Sequence, residues 1–276
     1  MGTFMTSRAL AVATLILLAP TLAVAGAPVA TVHKPNPALP GVVYHGPRDQ
    51  KRIALTFDAC SSRKGDRVDE KVIDALISLD VPATLFLGGK WMEDEPRVIE
   101  RLRTIPAFEL ASHGYLHPHL VKLTSAEVEA ELGRATLEFE QRLGRKPDLM
   151  RAPYGELDAR VARLIEKDGI TPVQFDLPGA DSTFSKKTLV KWVTGQAKPG
   201  SIVVLHMNGH GKHTAEALPE IVEALRRQGF VFVTVGQLLG HESAAIAEPV
   251  LTSSVAAPIQ LEPGPMCGLG GPDADP

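Results

Sequence analysis

This sequence has few cysteines and few aromatic side chains, and its positive and negative charges nearly balance. Of its 276 residues two are cysteine and 5% are aromatic, and the formal net charge is −3. Two cysteines, Cys60 and Cys267, cannot build the dense disulfide framework of a small secreted scaffold, although one bridge between them stays open. Lysine and arginine are spread along the chain and form no basic stripe, so we expect no nucleic-acid partner. With 44% hydrophobic and 22% charged residues, the composition is that of a globular protein.

Long hydrophobic runs are absent except at the N-terminus. Residues 9–22 are largely apolar and follow Arg8, and residues 23–25 read Ala-Val-Ala, the small-x-small pattern of a signal-peptidase site. We therefore expect residues 1–25 to be a signal peptide that sends the chain to the periplasm or outside the cell. The mature chain would then have no membrane span, and an uncleaved anchor is the alternative.

The rest of the chain divides by composition into three parts. Residues 26–42 are rich in Pro, Ala and Val without a clear period, which is typical of an extended linker. Residues 43–240 carry the periodic apolar patterns of a folded domain, whereas residues 241–276 are an Ala/Pro/Gly-rich tail. We predict one folded domain between a linker and a tail.

Short apolar runs alternate with helical patterns throughout the predicted domain. This alternation indicates an α/β fold with parallel strands joined by helices, and about seven units favour a sheet closed or nearly closed into a barrel. The predicted strands are residues 52–57, 81–87, 108–112, 148–150, 172–175, 201–205 and 230–233, and the predicted helices are residues 69–79, 96–103, 125–143, 157–167, 186–196 and 215–227.

Polar side chains suited to catalysis follow several of these strands. Ligands of parallel α/β proteins bind at the carboxyl ends of the strands, where Asp58, Arg151 and His206 fall. His113 and His117 follow the third strand, and two imidazoles at this spacing can share a metal ion if the chain turns helically. Such a pair alone is weak evidence, and the other strand ends are what favour a metal site. The full set is Asp58, His113, His117, Arg151, Asp176, Asp181 and His206.

Taken in order, these strand ends resemble the five motifs of the polysaccharide deacetylase family, carbohydrate esterase family 4, also called the NodB-homology domain. The likeness extends over roughly residues 43–239. It implies a distorted (β/α) barrel and a metal-dependent hydrolysis that removes acetyl groups from sugars. The matching segments are Thr-Phe-Asp at 56–58, His-Gly-Tyr-Leu-His-Pro at 113–118, Arg-Ala-Pro-Tyr at 151–154, residues 176–181, and Leu-His at 205–206.

The resemblance also implies a role for each matched side chain. His113 and His117 would hold a divalent metal ion, with zinc as the expected one. Asp58 would be the general base that activates the attacking water, and His206 the general acid that protonates the leaving group. Arg151 would keep Asp58 ionised and oriented.

Three further residues would complete the site by the same resemblance. Asp181 would orient His206 and favour its charged form. The backbone N–H of Tyr154 would help to stabilise the oxyanion, and Leu205 would help to wall a pocket for the acetyl methyl group.

One family position is changed in a way that bears on the metal. Where the family has a second aspartate after the base, this chain has Ala59, whose side chain cannot bind a metal. We expect either two histidines and water to hold the ion, or a carboxylate of the following loop to replace the ligand, with Asp69 preferred to Asp66. Because Asp69 opens a predicted helix, a helix N-cap is an equal alternative for it.

Two expectations concern the surroundings of the site. Ser182 stands where the family has a tryptophan, so Phe184 or Trp91 is expected to form that wall of the pocket. Three further histidines are expected to be exposed loop residues, although two of them follow the strand of His206 and could touch substrate. These histidines are His119, His210 and His213.

The sequence thus predicts an exported, metal-dependent hydrolase that removes acetyl groups from a polysaccharide, with N-acetylglucosamine polymers ahead of O-acetylated xylan. Two alternatives stay open. The alanine at position 59 would suit a non-catalytic barrel that binds glycans, and a related barrel hydrolase could cleave the C–N bond of a small amide. The expected partner in the first two cases is an acetylated polysaccharide or other glycan.

Overall fold

The protein is described from a computed structural model, in which residue 1, residues 38–61 and residues 66–240 are described. Most of the predicted signal peptide and linker, the whole predicted tail, and Cys267 lie outside the described residues. Pairing of Cys60 with Cys267 and export of the chain therefore stay predictions. Within the described part of the chain, no helix combines the length and the apolar character needed to cross a membrane.

Eight parallel strand segments form one curled sheet with β1 at its centre. The order is β5-β4-β3-β2-β1-β7-β6, and β8 pairs with the start of β1. This confirms the predicted fold, a (β/α) barrel of about seven parallel strands, because one of the eight segments lies off the main path. The strands are β1 (Arg52–Ala59), β2 (Ala83–Leu87), β3 (Phe108–Ser112), β4 (Leu149–Met150), β5 (Thr171–Pro172), β6 (Leu177–Pro178), β7 (Ile202–His206) and β8 (Val231–Phe232).

Helices follow the strands and cover the outer face of the sheet. The longest begins with a capping box, in which the Thr124 hydroxyl accepts from the Glu127 N–H and the Glu127 carboxylate accepts from the Thr124 N–H. It ends at Gly144, which takes the left-handed conformation common at helix C-termini. The helices are α1 (Glu70–Ser78), α2 (Gly89–Asp94), α3 (Pro96–Leu102), α4 (Ser125–Leu143), α5 (Ala159–Lys167), α6 (Lys186–Gln196), α7 (Thr214–Arg227) and α8 (Val235–Leu238).

The two faces of the sheet bury different side chains. Because side chains alternate along a strand, Leu55, Phe57 and Ala59 of β1 pack in the large cluster shared with the helices. Ala54 lies in the cluster inside the curl, and Thr56 and Asp58 share its side of the strand. The inside of the curl is therefore apolar toward the amino end of the sheet and polar at its carboxyl end.

The segment before β1 lies across the gap between the two edges of the sheet. Val43 pairs with Val173 next to β5, and His45 pairs with Ser201 next to β7. These bridges let backbone groups near both edges find partners although β5 and β6 are not neighbours in the sheet order. The curl thus holds its carboxyl ends close together around one opening.

Candidate active site

Asp58 and His206 stand side by side at the carboxyl end of the sheet. They are direct register partners of β1 and β7. Since partners in neighbouring parallel strands present their side chains to the same face, both side chains face the inside of the curl. Asp58 is buried, whereas the side chain of His206 is 30% exposed. A buried carboxylate thus stands beside an imidazole that solvent and a ligand can reach.

The guanidinium of Arg151 holds the Asp58 carboxylate from beneath. Its Nη1 lies 2.7 Å from Asp58 Oδ1 and 2.8 Å from Thr56 Oγ1, and its Nη2 donates to the Gln174 carbonyl at 3.2 Å. It also lies over the ring of Phe86, at 4.0 Å from the centroid. Burial by itself raises the pKa of Asp58, but the charge and hydrogen bond of Arg151, together with the neighbouring His113 and His206, outweigh it and the pKa is lowered. The Asp58 carboxylate is therefore kept ionised.

Asp181 controls the orientation and the charge of His206. One carboxylate oxygen lies 2.9 Å from His206 Nδ1, and the other accepts from the His206 backbone N–H at 2.8 Å and from the Thr214 hydroxyl at 2.6 Å. Burial by itself lowers the pKa of His206, but the Asp181 carboxylate more than offsets this and the pKa is raised. Because Nδ1 faces Asp181, the other ring nitrogen, Nε2, is left for a ligand.

His113 has its ring fixed in the tautomer that a metal requires. Its Nδ1 lies 2.9 Å from the Arg151 carbonyl oxygen, which can only accept, so Nδ1 carries the proton. Burial lowers the pKa of His113 and keeps the ring neutral. Its Nε2 lone pair then faces Asp58 Oδ2 at 3.7 Å. Two acceptors that face each other at this distance suit a bound cation or a proton between them.

His117 completes a pair of neutral imidazoles. Its ring centroid lies 5.0 Å from that of His113, and its buried Nδ1 has no hydrogen-bond partner in the described part of the chain. Burial, followed by the neighbouring His113, lowers the pKa of His117 to about 3. An orphaned buried nitrogen on a neutral ring fits a metal ligand. The two histidines predicted from sequence are thus brought together by the fold.

The third predicted ligand has another function in this structure. Asp69 is the N-cap of α1, and its carboxylate accepts from the Lys71 N–H at 3.1 Å. Among the described residues, no group of three or more His, Cys, Asp or Glu side chains could hold a metal ion. Asp66 has its Oδ2 3.5 Å from His210 Nε2, near the same opening. Metal binding by Asp69 therefore stays a prediction.

Leu205 does not lie where the resemblance implied. It is fully buried in the cluster shared with the helices, on the face of β7 opposite to His206. Val204, two residues before His206, belongs to the cluster inside the curl. The prediction for Leu205 as part of an acetyl-pocket wall is corrected, because strand alternation gives the inner face to Val204.

Other residues near the motifs are also not part of the site. Asp176 accepts from the Ile202 N–H at 2.9 Å, so it caps the amino end of β7, away from His206. Trp91 is fully buried in the helix-facing core, and Phe184 packs against the same core beside Trp192. Trp91 therefore does not form the expected pocket wall, whereas a wall formed by Phe184 stays a prediction.

Glu131 is a site residue that sequence reasoning missed. Its carboxylate, buried on α4, accepts from the Tyr115 N–H at 2.8 Å and from the Leu116 N–H at 2.6 Å. These donors lie between His113 and His117, so Glu131 fixes the turn that carries both imidazoles. A Glu on a helix sixteen residues away gives no local signal of this contact.

The surroundings of Tyr154 were missed as well. Its backbone has φ 61°, in the left-handed region, and its side chain is 46% exposed. The ring packs edge-on to His117 with centroids 4.4 Å apart and stacks on His119 at 3.9 Å. His119, expected to be an exposed loop residue, has a side chain that is 37% exposed, and it also pairs with Glu156 at 2.8 Å.

Comparison with known proteins agrees with this arrangement. The family model described as polysaccharide deacetylase matches residues 45–173. Peptidoglycan-N-acetylglucosamine deacetylase of Bacillus cereus is 28% identical over 195 residues, which cover 70% of this chain and 70% of that protein.

Solved structures give the same result. The Bc1960 peptidoglycan N-acetylglucosamine deacetylase, bound to a hydroxamate-type benzamide, matches with a TM-score of 0.68 at 26% identity, over 73% of this chain and 94% of that one. A pseudoenzyme of the same esterase family from Bacillus anthracis, BA3943, shares the fold with a TM-score of 0.65 at 24% identity, over 73% and 69% of the two chains. The present chain belongs to the polysaccharide deacetylase family, carbohydrate esterase family 4.

Proposed function

We propose that this protein is an exported, metal-dependent hydrolase that removes acetyl groups from an acetylated polysaccharide. The single observation that carries this is the pairing of Asp58 and His206 across β1 and β7. A carboxylate kept ionised and an imidazole whose protonated form is favoured, side by side at one opening, are the base and acid that hydrolysis of an amide or ester needs.

Asp58 is the general base in this proposal. Its Oδ1 is held by Arg151, so Oδ2 is the oxygen that takes the proton of the attacking water. Arg151 keeps the carboxylate charged and fixes its orientation, which favours proton transfer from a defined direction.

His206 is the general acid. The ion pair with Asp181 raises the pKa of His206 and so favours the ring protonated on both nitrogens, and the Nε2–H donates the proton to the leaving amine or alcohol. The Tyr154 N–H is the proposed donor to the oxyanion.

His113 and His117 are the proposed holders of a divalent ion, with zinc expected and Asp69 or water as further ligands. Their neutral rings and the orphaned Nδ1 of His117 fit this use. When bound, the ion would supply a Lewis acid that polarises the acetyl carbonyl and the attacking water.

The proposed substrate is a polymer that contains N-acetylglucosamine, which makes the enzyme a hydrolase of carbon–nitrogen bonds other than peptide bonds. The similarity to the peptidoglycan-N-acetylglucosamine deacetylase of Bacillus cereus supports peptidoglycan over xylan. The N-terminal signal pattern supports a periplasmic or secreted location, where such polymers lie.

The test is acetate release from peptidoglycan, chitin-like oligomers and acetylated xylan by the mature protein. We expect release with added zinc, loss after chelation, and a fall of at least about 100-fold in His206→Ala. His45→Ala is the matched control, since His45 lies at the amino end of β7. Absence of metal-dependent release from every acetylated glycan would overturn the proposal.

A second candidate is a glycan-binding barrel without turnover, favoured by Ala59 at the ligand position. It predicts that sugar binds while zinc does not. Metal analysis of freshly purified protein separates the two: stoichiometric zinc with acetate release eliminates this candidate, whereas binding of sugar by metal-free, inactive protein supports it.

A further inference from the structure

The ring of Tyr154 is held between two imidazoles. His119 stacks on it with ring planes 8° apart and centroids 3.9 Å apart, while His117 meets it edge-on at 4.4 Å and 63°. His119 is in turn held by Glu156, whose Oε2 lies 2.8 Å from His119 Nδ1. The three aromatic rings therefore form a stack that leads from the surface to the proposed metal site.

The backbone of Tyr154 needs such support. Its φ of 61° lies in the left-handed region, which is unfavourable for a residue with a Cβ atom, and Gly155 follows with φ 65°. The Gln174 side chain donates to the Gly155 carbonyl at 3.1 Å, which holds the glycine from the inside of the curl. On the outside, the contact that holds Tyr154 is the stack on His119.

We propose that His119 and Glu156 are positioning residues that hold the Tyr154 ring against His117. The stack would fix two elements at once, the Tyr154 backbone N–H and the imidazole of His117. It couples the loop after β3, which carries His119, to the loop after β4, which carries Tyr154 and Glu156. The expected effect on kcat rests on the proposed function, whereas the expected effect on the position of the Tyr154 ring does not.

The alternative is that His119 and Glu156 form only a surface ion pair, and it leads to a different prediction. The side chains of His119 and Glu156 are 37% and 27% exposed, and exposed pairs of this kind usually matter little. If the pair were only that, its removal would leave the Tyr154 ring and the chemical step unchanged. If it positions Tyr154, kcat falls while KM changes little, because the misplaced groups act on the transition state.

Fluorine NMR gives a readout that does not depend on activity. The chain has only three tyrosines, so 3-fluorotyrosine labelling gives three signals, and Tyr154→Phe assigns the one from Tyr154. In His119→Ala we expect this signal to move to the position of an exposed tyrosine. In His119→Phe, which keeps a flat ring for stacking, we expect it to stay near the wild-type position.

Kinetics on an acetylated glycan complete the test. We expect kcat to fall about tenfold in His119→Ala with KM within about twofold, a smaller fall in Glu156→Gln, and recovery in His119→Phe. Glu216→Gln is the matched control, because His213 and Glu216 form an exposed imidazole–carboxylate pair elsewhere.

An unmoved Tyr154 signal in His119→Ala, or a failure of His119→Phe to restore the signal and kcat, would overturn the inference. If wild-type protein releases no acetate, the proposed function fails by itself, and the fluorine spectra still decide whether the stack holds Tyr154.

Discussion

Asp181 is the neighbour that most favours the charged form of His206. His206 has an ordinary pKa of 6.5, and the carboxylate raises it in the folded protein despite burial. As the proposed general acid, His206 would be active only when protonated, so activity should fall as pH rises through its pKa. We predict that Asp181→Asn moves this alkaline limb of kcat/KM to lower pH, which a pH profile of acetate release measures.

Asp176→Asn is the matched control for that experiment. Asp176 also accepts from an N–H of β7, but at its amino end, so its loss should leave the alkaline limb in place. The raised pKa of His206 also affects the stability of the fold. The ion pair of His206 with Asp181 stabilises the folded state below pH 6.5, and this contribution is lost as pH rises through the folded-state pKa. An alkaline limb that is unchanged in Asp181→Asn would contradict the assignment.

At the scale of single residues, the sequence predicted which residues lie at the site but not which way every side chain faces. Asp58, His113, His117, Arg151 and His206 were found from their places after apolar runs, and the fold gathers them because carboxyl ends of parallel strands meet at one edge. Side-chain direction could not be obtained in the same way. Neighbouring residues of a strand face opposite sides of the sheet, so an error of one position reverses the face. The prediction of Leu205 as a pocket wall contains this error, since Val204 is the residue that lies inside the curl.

At the scale of elements, the alternation of β1 determines what a substitution at position 59 would do. The Ala59 side chain is fully buried with Phe57 in the core shared with the helices, on the face opposite to Asp58. We predict that Ala59→Asp does not create the missing ligand. A buried carboxylate without a partner should instead lower the free energy of unfolding by at least about 2 kcal/mol, measured by urea denaturation.

Ala59→Ser, with a small polar side chain and no charge, is the control for steric effects and should lose less. Zinc affinity, measured by competition with a chelator, should not rise in Ala59→Asp. Tighter zinc binding in the aspartate variant would contradict the orientation assigned to this position.

Helix α4 determines the shape of the turn that carries the two site histidines. We predict that Glu131→Ala weakens zinc binding about tenfold, because the Tyr115 and Leu116 N–H groups lose the carboxylate that holds the turn. Glu138→Ala is the matched control, since Glu138 is buried to the same 8% exposure on the same helix but pairs with Arg142. Equal zinc affinity in both variants would show that Glu131 has no special role in the turn.

Long elements were predictable because their apolar period extends over several turns or a whole buried strand. The bounds of α4, α6 and β3 agree with the prediction at both ends. The short elements α2, α8 and β6 were not predicted, because segments of six residues or fewer carry too little periodicity. Whether such a segment forms a helix or a strand depends on hydrogen bonds to neighbours in space.

At the scale of the whole molecule, a metal that binds only the folded state should stabilise the fold. With free zinc at about 100 times its Kd, mass action adds about 2.7 kcal/mol, so we predict a rise in unfolding temperature of about 5–10 °C for a domain of this size. Calorimetry with zinc and then with a chelator measures it. His117→Ala should lose the rise and His45→Ala should keep it, and wild-type protein that shows no rise would contradict a metal site.

The sequence by itself determined the class of fold, the family and the central residues of the candidate site, because apolar periodicity and residue type at strand ends are local properties of the chain. Tertiary structure alone decided which way each side chain faces and which distant groups support the site. It placed Asp69 at a helix cap, Asp176 at the far end of β7, and the stack of His119 on Tyr154 beside His117. These outcomes depend on contacts between residues far apart in the chain, and such contacts form only when the sheet curls.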